Sequence, residues 1–262
     1  MDLRSGEADL HSGLFGGTVP NAAAALVEVL GRLKDRRGRI AIPGWYDDVR
    51  GLTEEERRNF AALPFDPEAF KRTAGVRALP GEQGFSPLER IGGRPTADLN
   101  GVWSGYTGEG AKTVIPAEAH AKVSFRLVAD QEPGKLEPLF EQWLRERAPE
   151  GCELSVRWFG GVRPCLTPID HPANQAVARA VERAFGAAPL FTREGGSGPE
   201  RALSDALGAP CVYVGVILPD DRIHAPNERL HLDLYHTAVR AAAYALEELA
   251  SPETAEALRA LR

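Results

Sequence analysis

The order of the periodic segments in the first 160 residues constrains the fold more than any other feature of the sequence. Residues 121–127 alternate apolar and polar side chains, which is the two-residue period of a strand with one buried face. Helical periods over 20–33 and 133–149 place their apolar residues on one face. Further strands are predicted at the start of the chain, over 98–108 and over 152–161. The resulting order, βαββαβ, predicts a ferredoxin-like two-layer domain over 1–160.

Residues 38–95 interrupt this pattern. They are rich in glycine, proline and charged residues, and only two short helices are predicted in them, over 52–63 and 66–75. We interpret the segment as an insertion in the first domain and not as a separate core.

After a proline-rich linker, residues 161–262 alternate between helix and strand patterns. Alternation of this kind predicts an α/β arrangement, but two strands are too few for a sheet that stands alone. Because the first residues of the chain also read as the end of a strand, we expect the chain to be a fragment. The helices are predicted over 173–186, 200–208 and 232–250, and the strands over 188–192 and 209–217.

Composition and charge narrow the function classes. A net charge of −6 argues against a broad nucleic-acid surface, and the basic run "KDRRGR" at 34–39 is predicted to be a solvated helix end and loop. No apolar run reaches the roughly 18 residues of a membrane span, and the polar start does not read as a signal peptide. The three cysteines lack CxxC spacing and indicate neither a disulfide framework nor a cysteine zinc site. We therefore expect a cytoplasmic protein that binds neither membranes nor nucleic acid.

The stretch "REGGSGPE" (193–200) lies where a predicted strand leads into a predicted helix. Glycines allow the backbone to approach a ligand closely, and a helix start offers unpaired N–H groups to an anion. Gly195, Gly196 and Ser197 are therefore candidate donors to a carboxylate or an oxyanion. A nucleophilic serine is disfavoured, because Pro199 occupies the last glycine position of the G-x-S-x-G elbow.

Two histidines and two strand residues complete the candidate set. His224 follows an apolar segment and could be a zinc ligand, although a loop histidine taken alone is more often simply polar. His11 is either presented to a ligand by its glycine-flanked loop or held by a local hydrogen bond. Arg126 could bind a carboxylate in bidentate fashion or merely cover a sheet face. Thr113, one strand-length earlier, could equally be an ordinary strand threonine.

Three further motifs are interpreted as structural. His231 and Asp233 match the H-x-D pair of many zinc enzymes, but they precede an amphipathic helix, so Asp233 is predicted to be a helix-start carboxylate. The glutamates at 54–56 and 247–248 lie in charge-rich helical runs and are predicted to be solvated faces.

Four motifs, taken in order, resemble a known family. They are "DLHSGLFGGTVPNAAAAL", "TVIPAEAHAKVSFRLVADQEP", "TREGGSGP" and "DDRIHAPNERLHLDLYH". They resemble the di-zinc metallopeptidases that include carnosinases, aminoacylases, succinyl-diaminopimelate desuccinylase and acetylornithine deacetylase, and especially the dipeptidase branch. The resemblance covers nearly all of the chain. It implies a zinc-binding α/β catalytic domain interrupted by a ferredoxin-like lid that also forms a homodimer. Residues 1–160 would be the lid and 161–262 the last part of the catalytic domain.

The resemblance also implies roles for single residues. His224 matches the terminal zinc ligand, and His11 matches the lid histidine that reaches the partner subunit's active site and polarises the scissile carbonyl. Arg126 and Thr113 match lid residues that grip the carboxylate of the substrate. Ser197 matches the pocket serine of the glycine loop.

The implied activity is hydrolysis of a peptide or amide bond next to a free carboxylate, in a dipeptide or an N-acyl amino acid. The family uses two zinc ions, which manganese or cobalt could replace. Its H-x-D pair, bridging aspartate, Glu-Glu pair and one further acidic ligand precede the lid and have no counterpart in this sequence. A single ligand cannot build a zinc site, so we expect this chain alone to be inactive. The alternatives are an N-acyl amino acid deacylase of the same family and a non-catalytic dimerisation module.

Overall fold

The computed structural model describes residues 1–218 and 220–261, which form two compact units. The first unit comprises Met1–Gly51, Pro80–Pro164 and Glu194–Ser197. The second comprises Leu52–Leu79, Cys165–Arg193 and the described residues from Gly198 onwards. The predicted insertion is thus divided between the two units, and the domain boundary near residue 160 stays a prediction.

A four-stranded antiparallel sheet forms the frame of the first unit. Its strands are β1 (Asp2–Arg4), β3 (Thr96–Ser104), β5 (Glu118–Arg126) and β6 (Glu153–Ser155). Their order across the sheet is β3-β5-β1-β6, and each neighbouring pair is antiparallel. A separate two-stranded ladder joins β2 (Leu10–His11) to β4 (Val114–Ile115). The four-stranded order is that of a ferredoxin-like sheet, so the predicted mixed fold class is confirmed.

Helices cover one face of this sheet and form the core with it. Asn21 caps the second helix by accepting a hydrogen bond from the Ala24 N–H at 3.1 Å. Phe140 lies at the centre of the core, with its ring centroid 5.1 Å from that of Phe125 and 5.9 Å from that of Trp158. The apolar face predicted for 121–127 is therefore the buried face of β5. The helices of this unit are α1 (Ser12–Phe15), α2 (Ala22–Gly31), α5 (Pro87–Gly93) and α6 (Pro133–Arg145).

The second unit contains helices and, among its described residues, no strand. They are α3 (Glu54–Ala62), α4 (Pro67–Ala74), α7 (Pro172–Phe185), α8 (Glu200–Leu207), α9 (Leu232–Ala250) and α10 (Pro252–Arg259). Two ion pairs join α7 to α9: Arg179 Nε lies 2.8 Å from Glu248 and Arg183 Nη1 lies 2.7 Å from Glu247. The prediction that 247–248 is only a solvated face is therefore wrong for Glu248, which is partly buried, although Glu247 is exposed.

Two strand predictions in the second unit are also wrong. Residues 188–192 and 209–217 have no regular secondary structure, and apolar side chains of the second segment are exposed, for example Tyr213 (66%) and Ile217 (50%). A strand requires a ladder partner for its backbone groups, and none of the described residues supplies one here. None of the described helices combines the length and apolar composition that crossing a membrane requires.

Candidate carboxylate-binding site

The structure brings together two residues of the predicted carboxylate grip. Arg126 is the last residue of β5, on the solvent-exposed face of the sheet. Its Nη1 lies 3.4 Å from the Oγ of Ser197, which is 71 positions later in the chain. This distance is longer than an ordinary N–H···O hydrogen bond. The guanidinium has five N–H donors, so most of them stay available to a ligand. Two side chains that can both bind an oxyanion thus lie at one exposed place.

Gly195 positions the loop that carries Ser197. A Cβ atom at residue 195 would lie 2.4 Å from the carbonyl oxygen of Ile91 in α5, a distance that no side chain tolerates. At Gly196, by contrast, an added Cβ would meet no atom within 4 Å. The two glycines therefore differ: residue 195 is a close approach of two backbones, whereas residue 196 faces open space. Donation by their N–H groups to a ligand stays a prediction.

A buried ion pair in the second unit involves Arg193, the residue that immediately precedes this loop in the chain. Arg193 donates to both carboxylate oxygens of Glu56, at 2.6 and 2.8 Å, and both side chains are less than a tenth exposed. Burial would raise the pKa of Glu56, but hydrogen bonds from Arg193 and from the Thr53 N–H outweigh it and hold that pKa below its usual value. The prediction that 54–56 is a solvated face is therefore wrong at Glu56.

Part of this arrangement was visible in the sequence. Thr53 and Glu56 have the T-x-x-E spacing of a capping box, and the structure contains that box at the start of α3. The partner of Glu56 was not visible, because Arg193 is 137 positions away and nothing in either local pattern specifies the pairing.

His11 and Thr113 form a second group, also in the first unit. The pairing of β2 with β4 places His11 opposite Val114, and the N–H of Ser12 donates to the carbonyl oxygen of Thr113 at 3.2 Å. The imidazole Nδ1 of His11 accepts a hydrogen bond from the Gly13 N–H at 3.0 Å. The local hydrogen bond considered for His11 is therefore present, and it leaves Nε2 as the ring nitrogen that faces no partner in the described chain.

His224 belongs to the second unit and is exposed in a tightly turned loop. Its φ is 62°, and Arg222 and Asn227 also have left-handed backbone, with φ of 57° and 61°. The buried carboxylate of Asp221 holds this loop: one oxygen accepts from the Leu218 N–H at 2.7 Å and the other from the Arg229 guanidinium at 3.3 Å. The loop thus has a fixed shape, and its histidine is displayed to the outside. That His224 is a zinc ligand stays a prediction.

The predicted position of Asp233 at a helix start is confirmed. His231 is the residue that precedes α9, and Asp233 lies in the first turn of that helix. Across residues 1–218 and 220–261, no group of three or more histidine, cysteine, aspartate or glutamate side chains could hold a metal ion.

The fold agrees with a family that sequence comparison identifies. The model of a peptidase dimerisation domain, the M20 dimerisation domain, matches residues 1–152. The chain belongs to the M20 peptidase family. The resemblance inferred from the four motifs is thereby confirmed.

Relatives within the M20 family include dipeptidases. The Cys-Gly metallodipeptidase DUG1 of Saccharomyces cerevisiae is 31% identical over 259 residues, which cover 94% of this chain and 52% of that protein. The Beta-Ala-His dipeptidase of Homo sapiens is 28% identical over 235 residues, covering 88% of this chain and 46% of that protein. The chain spans about half the length of the curated relatives it matches.

A solved structure of an M20 peptidase supports the family assignment. The M20 family metallo-carboxypeptidase Sso-CP2 of Sulfolobus solfataricus matches with a TM-score of 0.78 at 30% sequence identity, over 94% of this chain and 56% of that chain. Sequence and fold thus both agree with membership of the family.

Proposed function

We propose that this chain provides the carboxylate-binding part of a zinc-dependent, dipeptidase-like hydrolase, which cleaves a peptide or amide bond next to a free carboxylate. The observation that supports this function most directly is the contact between Arg126 and Ser197. Two of its relatives are named as dipeptidases, whose substrates end in a carboxylate one residue from the scissile bond.

Arg126 and Ser197 would bind the substrate carboxylate and so orient the substrate. A guanidinium presents paired N–H groups whose spacing matches the two oxygens of a carboxylate, and the serine hydroxyl can donate a further hydrogen bond. Holding the terminal carboxylate fixes the distance from the bound end to the reacting carbonyl, which lowers the entropic part of the barrier. His11 would polarise that carbonyl from a partner subunit, and Thr113 would assist the grip.

The described residues do not by themselves form a zinc site. A catalytic zinc site uses three protein donors as a rule, and the described residues offer no such group. We infer that His224 contributes one ligand and that the other donors are not among these residues. The 262-residue chain alone is accordingly expected to hold no stoichiometric zinc and to be inactive.

The carboxylate grip can be tested by binding, without any turnover. A dipeptide with a free carboxylate and the same dipeptide as its C-terminal amide are titrated against the chain by NMR. Loss of a charge-assisted bidentate contact should weaken binding of the free acid by about tenfold in Arg126→Ala. Lys122→Ala is the matched control, because Lys122 lies on the same strand and also exposes its side chain. Equal binding of acid and amide, or an unchanged affinity in Arg126→Ala, would show that the assignment is wrong.

A non-catalytic dimerisation module is the second candidate, and the lack of a metal-binding cluster among the described residues favours it. Metal analysis and a hydrolysis assay on the chain distinguish the two. Tight, stoichiometric zinc together with dipeptide hydrolysis by the 262-residue chain would exclude the module. Analytical ultracentrifugation measures the homodimer that we propose through residues 1–152.

A further inference from the structure

A hydrogen-bonded turn in the first unit carries two arginines, Arg37 and Arg39, that line the same cavity. One carboxylate oxygen of Asp35 accepts hydrogen bonds from the backbone N–H groups of Arg37 and Arg39, at 2.8 and 2.9 Å. Gly38 between them has a φ of 77°, and a Cβ there would lie 2.7 Å from the carbonyl oxygen of Gly81. The turn is therefore fixed both within itself and against a neighbouring segment, and the basic run predicted as a solvated loop has a defined shape.

The two arginines line a cavity of about 360 Å³, which is within the range of small-molecule sites. The opposite side of the cavity is formed by the segment around Glu82 and by Arg94. The backbone joins the two sides, because the Gln83 N–H donates to the carbonyl oxygen of Arg37 at 2.8 Å. The cavity is thus a built feature of one unit.

The cavity carries an excess of positive charge. Its charged lining consists of Arg37, Arg39, Arg94 and Glu82, so two positive charges remain after the single carboxylate is counted. That carboxylate is already occupied: Arg94 binds both of its oxygens, at 2.7 and 2.8 Å, and both side chains are nearly buried.

The guanidinium groups of Arg37 and Arg39 have N–H donors that are available to a ligand. Arg39 stacks on the ring of Tyr46, with its Cζ 3.9 Å from the ring centroid, a contact that uses the face of the guanidinium and leaves its N–H edge available. The Arg37 side chain has no hydrogen-bond or ion-pair partner in the described part of the chain. Two like charges that line one cavity are stabilised by an anion bound in that cavity.

We propose that this cavity is a binding site for a small phosphate-bearing ligand. Arginine N–H groups match the oxygens of a phosphate in bidentate fashion. A phosphate monoester carries about −1.5 to −2 charges at pH 7, which balances the excess of two. The ligand would contact Arg37 and Arg39 directly, while Arg94 stays with Glu82. The site is distinct from the proposed carboxylate grip, and it does not depend on the proposed function.

Calorimetric titration of the chain at constant ionic strength tests the proposal, with inorganic phosphate and phenyl phosphate as the probes. The variants are Arg37→Gln and Arg39→Gln, and the matched control is Arg36→Gln, which removes the same charge from an exposed neighbour that does not line the cavity. We expect each cavity variant to weaken binding by about fivefold or more and the control to stay within about twofold.

Each outcome decides the matter. Stronger binding of phenyl phosphate identifies an ester as the ligand, and equal binding identifies the phosphate group alone; both support the site. Absence of binding by either probe overturns it, as does an equal loss in Arg36→Gln. Arg39→Gln also removes the contact with Tyr46 and can disturb the fold, so the deciding variant is Arg37→Gln, which removes no hydrogen bond, ion pair or ring contact of the Arg37 side chain in the described chain.

Discussion

Replacing Glu56 by glutamine should destabilise the second unit strongly, because it removes the negative charge from the side chain that accepts two hydrogen bonds from the buried Arg193 guanidinium. Removing one partner of a buried ion pair costs about 3–5 kcal/mol. Glutamine retains one acceptor oxygen for Arg193 and can still complete the capping box with Thr53, so the lower end, about 3 kcal/mol, is expected. With a urea dependence of about 2 kcal/mol per molar, the unfolding midpoint should fall by about 1.5 M.

Urea unfolding followed by circular dichroism measures this change, with Glu55→Gln as the control. Glu55 precedes Glu56 in α3, and its side chain is exposed, so this control should change the free energy of unfolding by no more than about 0.5 kcal/mol. If the two variants have the same midpoint, the ion pair does not stabilise the unit and the reasoning fails.

The stability difference should also depend on pH in a defined direction. Because the pKa of Glu56 is lowered in the folded protein, its ionised form stabilises the fold fully above the unfolded pKa of about 4.3. The contribution is lost as the pH falls through the lower folded pKa. The gap between wild type and Glu56→Gln should therefore be constant near neutrality and close in acid; a gap that widens in acid contradicts this.

Two further results are expected. Gly195→Ala should lower the free energy of unfolding by about 1–3 kcal/mol, because its new methyl group would overlap the Ile91 carbonyl. Gly196→Ala, the control, should leave the free energy of unfolding nearly unchanged. Equal thermal melting points for the two variants would contradict the close approach at residue 195. Burial raises the pKa of the Cys152 and Cys165 thiols, so both should react with iodoacetamide more slowly than free cysteine at pH 7 and accelerate as the pH rises, as peptide mass spectrometry would show.

Local sequence patterns predicted most helices, because a helix is determined largely by residues within one or two turns. The helices predicted over 20–33 and 52–63 are present as α2 and α3, and the apolar face of 121–127 is the buried face of β5. The helix α5 was not predicted, although Ser86 and Glu89 have the S-x-x-E spacing of the capping box found at its start.

Strands and ion pairs were harder to predict, since both depend on partners far away in the chain. Residues 209–217 have an apolar β-type composition, but composition does not supply a neighbouring strand. The pairing of Glu56 with Arg193 and the contact of Arg126 with Ser197 join residues 137 and 71 positions apart. The motif resemblance named Arg126 and Ser197, while their proximity came only from the fold.

The backbone of the loop that carries His224 is strained at three residues, and the buried carboxylate of Asp221 is one of the groups that hold it in this conformation. Non-glycine residues in left-handed backbone cost about 1 kcal/mol or more each, and Arg222, His224 and Asn227 share that cost within six positions. Asp221 ties down both ends of the loop. If the hydrogen bonds of the Asp221 carboxylate are lost, all three residues can relax together. We therefore expect the loop to open in one cooperative step and not by gradual fraying.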